Sequence, residues 1–224
     1  MMIDIHTHIL PEVDDGSSSF EMSYEMLNLE LLNNVDVVVL TPHYFISSFD
    51  KIDKEKLKEK FEEFKEKFSN FDIRFVLGAE LYYTPELMHE INNHQVMTLG
   101  DSNYILIEFS LVQNLYEIPS ILNEIVYLGY RPILAHPERY AYLNEKDIIK
   151  IKQTGTLIQV NTSSILGDFG RDIQKKAFRY IKLNLVDFIS SDAHETKIRK
   201  PNLKETLEFV EKKLKRKIKN EIDL

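Results

Sequence analysis

The chain has 224 residues, 43% of them hydrophobic and 29% charged, with a formal net charge of −8 and no cysteine. It reads as an ordinary globular chain long enough for a full core, one domain over 1–224. The cysteine count excludes disulfides, thiolate metal sites and thiol nucleophiles, and the acidic balance argues against nucleic acid held through phosphate contacts. No apolar run approaches the roughly 20 residues of a membrane helix, so no membrane insertion is expected. Met1 leads directly into Ile3-Asp4-Ile5-His6 without a basic and then apolar leader, so the expected location is cytoplasmic.

Met2 to Ile5 reads as a first strand ending at His6-Thr7-His8. Residues two apart on a strand share a face at a spacing of about 7 Å, so both imidazoles can serve one ion. Pro11 to Gly16 is a turn-rich loop, and Ser18 with Glu21 resembles a capping box opening a helix over Phe20 to Leu32. Val35 to Leu40 is a second strand, ending at Thr41-Pro42-His43. From Ile52 to Phe68, Leu57, Phe61, Phe64 and Phe68 recur at helical spacing among lysines and glutamates, a solvated helix face with mixed-sign pairs. Ile73 to Leu77 is a third strand, before Gly78-Ala79-Glu80, and Thr84 with Pro85 caps a short helix.

Tyr104 to Ile107 is a fourth strand ending at Glu108, followed by a helix near Ile118 to Leu128. Pro132 to Leu134 is a fifth, ending at Ala135-His136, and a helix covers Glu145 to Gln153. Leu157 to Val160 is a sixth, ending at Asn161, with a helix over Asp172 to Leu183. Val186 to Ile189 is the seventh, ending at Ser190-Ser191-Asp192-Ala193-His194. A last helix spans Asn202 to Lys213, and the residues after it read as frayed. Strands alternating with helices predict an α/β protein with a largely parallel sheet, and seven such units suggest a barrel one unit short of eight.

In such barrels the functional groups sit at the C-terminal strand ends. Those ends carry His6, His8, His43, Glu80, Glu108, His136, Asp192 and His194, with Asp15 in the loop after the first strand. Taken singly, each is most simply a structural hydrogen-bonding group. Jointly, five of the seven histidines fall at strand ends, and four carboxylates on one mouth would repel each other without cations between them. Nitrogen and oxygen donors suit Zn, Mn or Fe. His89 and His94 resemble a His-Glu-x-x-His pair but are one residue too far apart, and read as surface residues. Arg139 and Arg199 follow two of the donor positions, and a guanidinium fork beside a cationic cluster suits an oxyanion such as phosphate. Tyr44, Phe45, Tyr82, Tyr83, Tyr140 and Tyr142 crowd the same rim, where packing is the simpler role.

The segments DIHTHIL…DDG, TPH, GAELYYTPE, LIEFS, AHPERY, QVNTSS and SSDAH…R resemble the PHP-type (polymerase and histidinol phosphatase) metal-dependent protein tyrosine phosphatases of bacteria, from Met2 to about Arg199. The resemblance implies a distorted (β/α)7 barrel, PHP-like, holding three divalent or trivalent ions per chain, Mn first, with Fe or Zn as alternatives. By motif, His6, His8, Glu80 and Asp192 would hold one ion. His43, Glu80, Glu108 and His136 would hold a second, and Asp15 and His194 a third, more exposed one. Arg139 and Arg199 match the phosphate-binding arginines. The implied partner is a phosphotyrosine protein, a bacterial tyrosine kinase of capsule or exopolysaccharide assembly. Two departures stand out. The first helix lacks the Glu-x-x-Arg-Arg element of ring-forming relatives, which leaves the oligomeric state open, and the loop Tyr44 to Phe49 is less basic than in some relatives.

A hydroxide bridging two metals and attacking phosphorus is the expected chemistry, since cations lower the pKa of bound water. Without cysteine, a tyrosine phosphatase built on this chain must use metal. The alternatives are a histidinol-phosphate phosphatase, a metal-dependent nuclease or amidohydrolase-type barrel, and a non-catalytic binding module. Asp15, Glu108, His194 and the arginine pair speak against the nuclease or amidohydrolase.

Overall fold

The computed structural model describes residues 1–45, 53–113, 115, 117–215, 218, 220 and 222–224. In chain order its elements are β1 (Ile3–Thr7), α1 (Phe20–Leu32), β2 (Val37–Leu40), β3 (His43–Tyr44), α2 (Lys54–Lys67), β4 (Arg74–Leu77), β5 (Glu80–Tyr82) and α3 (Pro85–Asn92). There follow β6 (Tyr104–Glu108), α4 (Ile118–Tyr127), β7 (Arg131–Leu134), a 3-10 turn (Pro137–Arg139), α5 (Glu145–Gln153), β8 (Leu157–Asn161), α6 (Thr162–Leu166), α7 (Arg171–Lys182), β9 (Phe188–Ser190) and α8 (Leu203–Leu214). All strand pairings are parallel, in the orders β1-β2-β4 and β3-β5-β6-β7-β8-β9.

The two ladders form one curled sheet. Gly78 N donates to Leu40 O and Glu80 N to Pro42 O, and a parallel bridge between Thr7 and Ala193 joins the last strand back to the first. The architecture is a distorted (β/α)7 barrel. The second and third expected strands, seen as β2 and β4, are each followed past a break by a further short strand, β3 and β5. Pro42 has no N–H to offer a ladder, and at Gly78 a Cβ would stand 2.6 Å from Leu99 Cδ2. Beyond the breaks, β3 and β5 open on His43 and Glu80, paired directly with each other.

Strand alternation sorts the apolar residues into two clusters. Ile3, Ile5, Val37, Val39, Val76, Leu106 and Ile133 fill the barrel interior, while Val38, Leu40, Ile105, Ile107 and Leu134 face the helices. Each such fully buried side chain stabilises the fold by about 1.5–3 kcal/mol.

Several local expectations are corrected. The cap of α1 is Ser19, whose hydroxyl accepts from Met22 N at 3.2 Å, and not Ser18. The Ile52 end of the second expected helix lies outside the described residues, and α2 starts after Asp53, which accepts from Glu55 N. Residues 46–49 of the loop after His43 also lie outside them. The short helix α6 was not expected. The tail is not frayed where it is described: Asn220 accepts from Ile189 N and donates to Ile3 O, and Ile222 and Leu224 join the interior cluster. The tail thereby bridges β1 and β9 at the end opposite the mouth. Among the described residues no helix is long and apolar enough to cross a membrane.

Candidate metal centre

The register of β1 shifts between Asp4 and Thr7. Asp4 accepts from Ser191 N and lies on the helix side, whereas Ile5 belongs to the interior. The irregularity lets His6 and His8 reach the mouth directly above Ile5, as bulges beside functional sites do. Two further donors stand on unusual backbone. His136 has φ 33° and Asp192 φ 52°, left-handed values that non-glycine residues adopt at a cost of about 1–3 kcal/mol and that cluster at functional sites.

All nine sequence-predicted donors meet at this mouth. His6 Nε2 lies 3.1 Å from His8 Nε2, 3.2 Å from Glu80 Oε2 and 3.4 Å from Asp192 Oδ1, and His8 Nε2 is 3.4 Å from each of the same two oxygens. His43 Nδ1 is 2.9 Å from Glu80 Oε2, and His136 Nε2 is 2.9 Å from Glu80 Oε1 and 3.7 Å from Glu108 Oε1. Asp15 Oδ1 is 3.4 Å from His43 Nε2 and 3.5 Å from His194 Nε2. Three overlapping sets could each hold a cation: His6, His8, Glu80 and Asp192; His43, Glu80 and Glu108; and His8, Asp15, His43 and His194.

The first set passes a direct test of fit. Donors about 2.0–2.2 Å from one ion at tetrahedral angles stand about 3.3–3.6 Å from each other. The observed separations of 3.1–3.4 Å lie in or just below that range. Glu80 Oε2 and Asp192 Oδ1 of this set, and His194 Nε2 of the set with Asp15, are buried yet make no well-formed hydrogen bond. Close approach without hydrogen bonding is what atoms aimed at a shared cation would show.

Without a cation the histidines carry the compensating charge. Burial opposes protonation of His43, but Asp15 and Glu80 more than offset it and raise the ring to about 10. His8 is also raised, held against its burial by Asp14, Asp192 and Glu80. Glu80 and Asp192 stay well below the usual carboxylate range despite burial, through His6 and neighbouring rings and, for Asp192, Arg199. Glu108 goes the other way: burial and the Glu80 charge push it up to about 8. Burial lowers His136 to about 4.

The arginines share one anchor. Arg199 Nη2 lies 2.9 Å and Arg139 Nη1 3.4 Å from Asp192 Oδ2, and both guanidinium groups remain partly exposed at the mouth. The loop 194–199 closes on itself, with His194 N donating to Arg199 O and Glu195 accepting from Arg199 N. The aromatic rim is divided. Tyr44 and Tyr140 are fully buried, donating to Glu90 and Ala135 O, whereas Phe45 lies against His43 and Tyr82. His89 and His94 are exposed and stand outside the donor sets.

Sequence reasoning passed over three polar residues. Asp14, read as part of a turn, accepts from His8 Nδ1 at 2.7 Å and from His43 N at 3.0 Å. Gln159 and Asn161, in the strand and in the segment QVNTSS, were given no role at the site. Their signal was present: a polar i,i+2 pair at a strand end, like His6 with His8 and Asp192 with His194.

The profile of the capsular polysaccharide synthesis family CpsB/CapC matches residues 2–224. The chain belongs to the CpsB/CapC family. It is 36% identical to CapC of Staphylococcus aureus, over 96% of this chain and 84% of that one. It is 33% identical to the tyrosine-protein phosphatase CpsB of Streptococcus agalactiae, over 93% and 89%. The solved structures of YwqE from Bacillus subtilis and CpsB from Streptococcus pneumoniae, metal-dependent tyrosine phosphatases, provide a match at TM-score 0.89 and 28% identity, covering 96% of this chain and 88% of that one. CpsB/CapC membership thus spans the whole barrel and every donor at its mouth.

Proposed function

We propose that this CpsB/CapC chain is a metal-dependent protein tyrosine phosphatase that hydrolyses phosphotyrosine on a protein, an autophosphorylating bacterial tyrosine kinase of capsule or exopolysaccharide synthesis. The observation that carries the reading is the three overlapping donor sets, with His136 beside Glu80, edged by two arginines, in a chain without cysteine. In this reading the site takes three ions, Mn first and Fe or Zn as alternatives, and the protein works in the cytoplasm. His6, His8, Glu80 and Asp192 hold one ion, and His43, Glu80, Glu108 and His136 a second. Asp15 and His194 hold the third, with His8 and His43 beside them.

When bound, such ions supply positive charge and a water-derived nucleophile at neutral pH. The chain's own residues do the rest. Arg139 and Arg199, held by Asp192, offer forked donors to the equatorial phosphoryl oxygens. Phe45 lies beside His43 and Tyr82 beside Phe45, rings along which an aromatic group can lie. A phenolate, with a parent pKa near 10, leaves with less proton assistance than an alkoxide.

The test is turnover of a phosphotyrosine peptide beside histidinol phosphate by Mn-loaded protein. The peptide is expected to be preferred, and Arg139→Ala is expected to lower kcat/KM by about 100-fold, as loss of a transition-state donor does. Full activity after exhaustive chelation, or a preference for histidinol phosphate, overturns the proposal.

A further inference from the structure

Among the described residues, β8 is the one strand position of the barrel that sends no metal-type donor to the mouth. It sends Gln159 and Asn161 instead, both fully buried. Their amide orientations follow from the neighbours. The backbone N–H of His136 can only donate, and it points at Gln159 Oε1 at 3.2 Å. Gln159 Nε2 therefore faces Asn161 Oδ1 and donates to it at 2.7 Å. Asn161 then has only its Nδ2 to turn toward Asp192 Oδ2, 2.6 Å away. Glu138 Oε1 holds the Asn161 backbone N–H at 3.0 Å.

The chain of donors fixes what stands at each end. Gln159 Oε1 is also 3.1 Å from His6 Nδ1, and an amide oxygen accepts only, so the neutral ring carries its proton on Nδ1 and keeps its lone pair on Nε2. At the far end Asn161 and Arg199 both occupy Asp192 Oδ2, which leaves Oδ1 without a hydrogen bond. His6 Nε2 and Asp192 Oδ1 are 3.4 Å apart.

We infer that Gln159 and Asn161 form an uncharged amide relay that presents one lone pair at each end, on His6 and on Asp192, to a single divalent cation. They are positioning residues, and the inference rests on the metal site proposed above. The relay is directional: a carboxylate at 161 would set a negative charge against Asp192, whereas a carboxylate at 159 would still accept from His6 Nδ1 but would turn an acceptor, in place of the Nε2 donor, toward Asn161 Oδ1.

The experiment strips the full chain with chelator and titrates it with Mn2+ in chelator competition, counting bound metal by elemental analysis. Circular dichroism of the metal-free protein checks folding. Gln159→Leu and Asn161→Asp are each expected to weaken one site by about 10–100-fold, and Gln159→Glu, which keeps the acceptor for His6 but loses the donor to Asn161, to weaken it by less than either, about threefold to tenfold. Should Gln159→Leu not fold, the contrast between Gln159→Glu and Asn161→Asp decides. Equal affinities in the folded variants and the wild type overturn the relay while leaving the metal site standing. A wild-type chain that binds no Mn2+ overturns the site itself.

Discussion

Glu138 is 1% exposed, and its Oε1 accepts from Asn161 N while Oε2 has no partner. Burial pushes the carboxyl up to about 7 from its ordinary 4.5, against the pull of the nearby Ser164 side chain and the Asn161 backbone N–H. A group raised in the folded state contributes stability that is complete below its unfolded pKa and is lost as pH climbs through the folded one. Metal-free protein should therefore lose roughly 3 kcal/mol between about pH 4.5 and 7 from this residue alone. Glu138→Gln keeps the acceptor and removes the ionisation, so urea unfolding at pH 5 and pH 8 should show a loss smaller by about that amount. An unchanged pH slope would refute the assignment. The neighbours of Glu138 explain why its role was not legible: the sequence motif puts it between His136 and Arg139, but only the fold shows that it turns away from both toward β8.

The loop between β1 and α1 shows how an element sets a site. Gly16 lies so close to β1 that a Cβ would stand 2.3 Å from His8 O and 2.4 Å from His8 Cβ. Ser17 N donates to the same carbonyl at 2.9 Å, and Gly16 N to Asp14 Oδ1 at 2.9 Å. The glycine is thus what lets Asp14 reach His8 and leaves Asp15 facing His43 and His194. Gly16→Ala must move backbone against backbone, at a cost of about 1–3 kcal/mol. Its expected signature is a lower melting temperature together with loss of one bound ion per chain, read by elemental analysis. Wild-type metal content in a folded Gly16→Ala protein would show that the loop does not hold a cation. Asp-Asp-Gly announces a turn in any sequence, whereas the contact with His8 exists only once the turn has folded back on the strand.

For the whole molecule, the charge state of the cation-free mouth makes loading a proton-releasing reaction. At pH 7 Glu108, raised to about 8, is mainly neutral, and His43, raised to about 10, is an imidazolium. Each must give up a proton before it can offer a lone pair to an ion. Calorimetric loading with Mn2+ or Zn2+ at pH 7 should therefore release about two protons or more, seen as a heat that changes with the buffer's ionisation enthalpy. Affinity should rise with pH over the same range. A heat that does not depend on buffer would contradict these charge states.

The sequence by itself determined the alternation of strands and helices, the parallel barrel and the placing of nine donors and two arginines after apolar runs. Those features are written in local periodicity, because burial on one face of a strand or helix repeats every 2 or 3.6 residues. The missing cysteines narrowed the chemistry in the same way. The tertiary structure decided which donors share a set, that β1 shifts register before His6, and that Thr41-Pro42 and Gly78-Ala79 break two strands. It also sent Tyr44 and Tyr140 into the core, drew the tail under the barrel and brought Gln159 to His6 from 153 positions away. Contacts of that range follow from how the sheet closes and in which register, and no window of the chain contains that information.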